Sequence, residues 1–161
     1  MASGQKHDKA TIFLSVPFGI CIGLFWGINN ALIAGISFCI AGLWLSPDLD
    51  IDSRSLQRWG RLKILWKPYR KFITHRSFLS HGVFIGTTVR IGYLISMVLI
   101  LKILFNFMGI DLEYISINRI RNLIEKYPKQ FLAILLGAEG SAWLHLILDG
   151  DPLPKFKKFN S

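Results

Sequence analysis

Apolar residues run in four long blocks along this chain, and polar residues gather between them. Residues 11–28 carry no charged side chain. Residues 29–46 carry none either, and Asn29 and Asn30 mark the join between the two blocks. Residues 83–107 are apolar except for Arg90 and Lys102, and residues 131–148 except for Glu139 and His145. A helix needs about 20 apolar residues, within a range of ~17–25, to cross a hydrocarbon core about 30 Å thick. The second block is short for a span; the other three are long enough. A helix on the surface of a soluble domain keeps a polar face, and the first two blocks have none. The pattern predicts one all-α, polytopic membrane domain over residues 1–161, with about four transmembrane helices and a basic amphipathic interfacial helix. The first block exceeds the ~7–15 apolar residues of a secretory leader, so it reads as a span.

The interfacial helix is expected over residues 53–74. Leu56, Trp59, Leu62, Trp66, Tyr69 and Ile73 recur at steps of three and four. Arg54, Arg58, Arg61, Lys63, Lys67, Arg70 and Lys71 lie between them. Such a stripe predicts apolar and aromatic side chains in lipid and basic ones on anionic headgroups. Pro68 breaks this helix or starts a second. Residues 111–130 read as a weaker interfacial segment. An aromatic and basic stretch also suits nucleic acid, but spans on both sides favour membrane lipid, and no nucleic-acid partner is expected. Gly19, Gly23 and Gly27 fall at four-residue spacing, as do Ala133 and Gly137, and such small residues let helices approach closely.

Charge sharpens the topology. Only 18% of residues are charged, below the usual ~25%, yet the net charge is +9. With four spans, the N-terminus, the loop over residues 47–82 and the C-terminal tail share one side. Thirteen lysines and arginines lie there against five on the other side. The positive-inside rule makes the first side cytoplasmic, and predicts a multi-pass protein of the inner (plasma) membrane with both termini in the cytoplasm. Cys21 and Cys39 lie within spans and read as small apolar residues. Two cysteines exclude a disulfide framework and a thiolate finger.

The same topology places His7, His75, His81 and His145 at the cytoplasmic face. Asp8, Asp48, Asp50, Asp52, Asp149 and Asp151 join them, six of the ten acidic residues. His145 and Asp149 are four apart and share a helix face. Asp48 and Asp50 are two apart after Pro47 and point the same way if extended. His75 and His81, six apart, suit a loop. Imidazole and carboxylate without thiolate suit zinc, manganese or iron. The candidate ligands are His7, Asp8, Asp48, Asp50, His75, His81, His145 and Asp149, enough for one or two divalent ions, zinc foremost. Arg76 and Asp52 are the candidate catalytic residues, with Arg76 placed to neutralise charge developing on a substrate. Arg90 and Glu139 lie about 12 and 15 Å below the cytoplasmic boundary at 1.5 Å per residue. Ionisable groups at that depth are usually paired, so an Arg90–Glu139 ion pair is expected.

The strings Lys6-His7-Asp8, Pro47-Asp48-Leu49-Asp50-Ile51, His75-Arg76-Ser77-Phe78-Leu79-Ser80-His81-Gly82 and His145-Leu146-Ile147-Leu148-Asp149 carry a resemblance. Over essentially the whole chain they resemble a family of small bacterial membrane proteins described as metal-binding. More loosely they resemble the membrane-bound metal-dependent hydrolases, which show an N-terminal His, a Pro-Asp-x-Asp, a His-Arg…His and a closing His…Asp in that order. Those hydrolases usually set the two central histidines one residue closer, with Ser where this chain has Gly82. The first resemblance implies metal binding. The second implies metal-dependent hydrolysis, and a site at headgroup level suits a phosphoester of a lipid. A non-catalytic membrane protein with a closed structural metal site is the competing expectation. Metal transport ranks last, because only Glu139 stands at mid-depth.

Overall fold

The computed structural model describes residues 3–110 and 117–150. Asp151, Lys155, Lys157, Lys158 and residues 111–116 of the weaker interfacial segment lie outside the described residues. Regular structure among the described residues is entirely helical: α1 (Gly4–Trp26), α2 (Ile28–Trp44), α3 (Arg54–Gln57), α4 (Lys67–Phe72), α5 (Phe78–His81), α6 (Ile85–Phe107), α7 (Ile117–Lys126) and α8 (Pro128–Leu148). Four stretches are long and apolar enough to cross a membrane: α1, α6, α8 and the 23 residues Ile28–Asp50. The last of these joins α2 to a 3-10 turn, Pro47–Asp50. The 17 residues of α2 alone would extend only about 25 Å, so the turn completes the block that reads as short in the sequence.

Helices α1 and α2 form a hairpin with one residue between them. Gly27 has φ 82°, a conformation that costs glycine little and other residues much. Along the hairpin the backbones touch. A Cβ at Gly19 would lie 2.7 Å from the Ala31 carbonyl oxygen, and one at Gly35 would lie 2.9 Å from that of Ser15. Helix α8 packs on α2 in the same way: a Cβ at Gly137 would lie 2.5 Å from the Ala34 carbonyl oxygen. Gly19, Gly23 and Gly137 therefore serve close packing, whereas Gly27 is the hinge. Helix α6 is anchored through its first turns, where Gly86 and Arg90 are buried. Its second half presents Val98, Ile103 and Phe107 outward.

The interfacial helix expected over residues 53–74, with its break at Pro68, is three short pieces: α3, a 3-10 segment Gly60–Trp66, and α4, which has Pro68 in its first turn. Gly60, with φ 53°, turns the chain between the first two. The apolar stripe also turns inward instead of into lipid. Leu56, Trp66 and Tyr69 are fully buried with Leu49, and Trp59, Ile73 and Tyr93 pack around them. Trp66 meets Trp59, Tyr69 and Tyr93 at ring-centroid distances of 5.2, 5.3 and 5.4 Å. Breaking the helix lets these large rings contact one another and the start of α6, which a continuous surface helix would not allow. The segment also caps α2. Arg58 Nη1 donates to the Leu43 carbonyl and Trp59 Nε1 to that of Trp44, both at 2.9 Å, and these are carbonyls that lack a partner at a helix end. Leu62, Ile64 and Phe72 stay exposed on the outer face, as do Arg61, Lys63, Lys67, Arg70 and Lys71.

Candidate metal centre

Four separate pieces of chain converge at one end of the helices. Helix α1 buries one ridge at four-residue steps, His7, Thr11, Ser15 and Gly19, so His7 heads the ridge that faces the bundle. Ser46 accepts from the Asp48 amide and opens the 3-10 turn that delivers Asp48 and Asp50. His75 precedes α5, and His81 is its last residue. His145 is buried in the last turn of α8, and Asp149 is the residue that ends that helix.

The donors fall into two groups, His7 with His145 and Asp149, and Asp48 with His75 and His81. Within each group one ligand atom per residue lies within 4.8 Å of the others. His7 Nε2 is 3.0 Å from Asp149 Oδ1, and the His7 and His145 rings stack at 4.1 Å. His145 Nε2 stands 3.4 Å from both Asp149 Oδ2 and Asp48 Oδ1. His81 Nε2 is 3.8 Å from Asp48 Oδ1.

These distances fit a cation. The buried atoms His7 Nδ1, Asp48 Oδ1, Asp50 Oδ2, His81 Nε2 and His145 Nε2 have no hydrogen-bond partner, whereas buried polar atoms are normally satisfied. The 3.4 and 3.8 Å separations are too wide for good N–H···O bonds. They approach the roughly 3.4 Å that separates two ligands each about 2.1 Å from a tetrahedral ion.

The far side of three of the four rings is occupied. Asp50 Oδ1 lies 3.0 Å from His75 Nδ1, Ser80 Oγ lies 2.8 Å from His81 Nδ1, and Ser46 Oγ lies 3.2 Å from His145 Nδ1. A partner on Nδ1 sets the ring orientation and leaves Nε2 available. Asp50, expected among the ligands, belongs to neither group. Its Oδ1 holds the His75 ring, while its Oδ2, buried without a hydrogen-bond partner, lies 3.8 Å from His81 Nδ1. Ser46 and Ser80 escaped the sequence reading because a serine beside Pro47 or His81 has no periodicity to mark it. Burial opposes charge on Asp149, yet His145 and His7 hold its carboxyl down to about 2.

Several expected site residues lie elsewhere. Asp8, expected as a ligand, is taken by two guanidinium groups: Arg54 Nε at 3.2 Å and Arg58 Nη2 at 2.5 Å from Oδ2. Asp8 thus lies in ion pairs outside both ligand groups, while Arg54 keeps half of its side chain exposed. Charge-assisted pairs of this kind hold a carboxylate strongly. Asp52 is exposed and shares no described contact with the cluster. Arg76 is half-buried beside His75 in a left-handed conformation, φ 58°.

The expected Arg90–Glu139 ion pair is also corrected. Arg90 Nη1 donates to the Ser80 carbonyl at 2.7 Å, and Nη2 to Thr87 Oγ1 at 3.1 Å. Glu139 Oε1 accepts from the Phe84 amide and from Trp143 Nε1, both at 2.8 Å. The two charges are electrostatic neighbours but hold backbone instead of each other. The segment from Ser80 to Phe84 is non-helical at its end, with Phe84 at φ 60°, and its main-chain dipoles need partners. A carbonyl and an amide there each gain a charged partner.

The family model described as uncharacterized metal-binding protein (DUF2227) matches residues 2–159. A protein of Aquifex aeolicus (strain VF5), described as an uncharacterized protein, is 46% identical over 43 residues, 26% of this chain and 30% of that protein. The match spans less than a third of that relative's length. No solved structure matches this chain.

Proposed function

This chain belongs to the family of metal-binding proteins that its sequence matches almost end to end, and on that premise we propose that it is an integral membrane metal-dependent hydrolase acting at the cytoplasmic interface on a phosphoester of a lipid. One observation carries the reading. Imidazoles and carboxylates from four distant segments meet in one cluster, in which the buried atoms Asp48 Oδ1, His81 Nε2 and His145 Nε2 have no hydrogen-bond partner. When bound, a divalent cation, zinc first, supplies Lewis acidity and lowers the pKa of water toward neutrality.

The chain's own residues do the rest. Asp50, Ser46 and Ser80 hold the histidine rings. Arg76 follows His75 in the chain, where a fixed positive charge favours a phosphoryl group gaining negative charge. Four helices long and apolar enough to span support insertion in the inner membrane. The thirteen-to-five division of basic residues supports cytoplasmic termini. The cluster then lies at headgroup level, where a lipid arrives sideways. Arg61, Lys63, Lys67, Arg70 and Lys71 would attract anionic headgroups, at about 1 kcal/mol each.

A second reading has its own support. The side chains of His7, His145 and Asp149 are only 10%, 6% and 6% exposed, as in a closed structural site. The deciding experiment strips the purified protein of metal, reloads it with zinc or manganese, and assays phospholipid and lipid-phosphate substrates. Metal-dependent turnover is expected. No turnover across the panel, with a melting temperature that still rises on metal loading, would leave the structural site as the function.

A further inference from the structure

We infer that the cluster holds two cations of unequal accessibility, with Asp48 shared between them. The inference rests on the metal-binding reading and is independent of hydrolysis. Asp48 belongs with His75 and His81 in one group, yet its Oδ1 is as close to His145 Nε2 of the other, 3.4 Å, as His145 is to Asp149. A carboxylate has about four lone-pair positions on two oxygens and can serve two ions. A histidine whose Nδ1 is engaged offers one nitrogen only, so the rings divide between the ions and Asp48 joins them. Asp48, Asp50 and Asp149 also bring three carboxylates into one buried cluster, more negative charge than one divalent cation neutralises.

The two positions differ. His7, His145 and Asp149 with Asp48 make four protein donors, the full set of a closed tetrahedral site. His75, His81 and Asp48 make three, which leaves a position open. The difference in exposure lies at His75, whose side chain is 30% exposed against 10%, 6% and 6% for His7, His145 and Asp149, while His81, at 3%, closes the inner side of the second position. The first cation is therefore locked in, and the second exchanges with solvent.

The test uses the full chain in detergent, loaded with zinc and freed of excess. Elemental analysis is expected to find two zinc ions per chain. A chase with EDTA is expected to remove one quickly and the other at least tenfold more slowly. His75→Ala is expected to keep one zinc, released in the slow phase alone. One zinc per chain, or none, would overturn the inference. So would two that leave in a single phase, or a His75→Ala protein that keeps both. The first two measurements use the unaltered protein, so they stand even if the variant fails to fold. Two zinc ions in two phases without turnover on any lipid phosphoester would reject the hydrolase and leave this inference standing.

Discussion

Asp48 Oδ1 stands 3.4 Å from His145 Nε2, and neither atom has a hydrogen-bond partner. Asp48 sits on the turn after α2, His145 on the last turn of α8. The close packing of Gly137 against Ala34 holds those two helices in register, so the ligand pair depends on a glycine contact deeper in the bundle.

Gly137→Val tests that dependence. The added side chain meets the Ala34 carbonyl and the Phe38 amide, which are backbone and cannot swing away. Overpacking of this kind costs about 1–3 kcal/mol. Thermal unfolding in detergent is expected to show a lower melting temperature, and metal affinity is expected to fall with it. Gly92→Ala is the control, because nothing lies within 4 Å of a Cβ there.

Asp8 and Asp149 are expected to behave differently. Asp149→Asn removes a donor and lowers zinc content. Asp8→Asn leaves zinc content unchanged, because Asp8 binds Arg54 and Arg58. Elemental analysis of both variants checks this. Loss of zinc from Asp8→Asn would return that residue to the ligand set.

Ser46→Ala and Ser80→Ala remove partners from His145 and His81. Losses of this type usually weaken metal affinity ~10–100-fold. Titration against a competing chelator is expected to show that weakening with the number of bound ions unchanged.

Arg90→Met leaves the Ser80 carbonyl without its charged donor, a loss of about 1–3 kcal/mol. Glu139→Gln keeps an acceptor for the Phe84 amide and is expected to cost less. The exchange Arg90→Glu with Glu139→Arg keeps two opposite charges but removes both backbone contacts, and is expected to leave stability and metal affinity as low as the worse single change. Recovery would mean that the two charges act on each other and not on the backbone.

Trp66→Ala opens a cavity in the aromatic cluster, at a cost of about 3–5 kcal/mol. Leu62→Ala, on the exposed side of the same segment, is expected to stay within about 0.5 kcal/mol. Equal and small effects on thermal unfolding would place the stripe outside the core.

Much of the molecule is legible in the chain order. Two of the blocks are uncharged and leave a helix no polar face, and the other two carry only one or two charges, so the four long apolar stretches follow from composition alone. Histidine and aspartate at the ends of those runs come to one level because helices of similar length are folded back on each other. The stripe from Leu56 to Ile73 shows where reading by period fails. Its spacing is the same whether the apolar face meets lipid or protein, and Gly60 and Pro68 decide the outcome by breaking the helix so that Trp66 and Tyr69 reach Tyr93.

The sequence by itself determined the helical class, the four apolar stretches and the residue types gathered at one end. Those follow from local properties: hydropathy, helix period and the cost of charge in an apolar run. Only the tertiary structure decided how each charged group is used. It separated the histidines and carboxylates into two groups, set Asp50 Oδ1 against His75, paired Asp8 with two arginines, and set Arg90 and Glu139 on backbone. Those outcomes depend on distances of a few tenths of an ångström between segments far apart in the chain. A carboxylate pairs with whichever donor the packing of α1, α2 and α8 brings nearest, and sequence spacing carries no record of that.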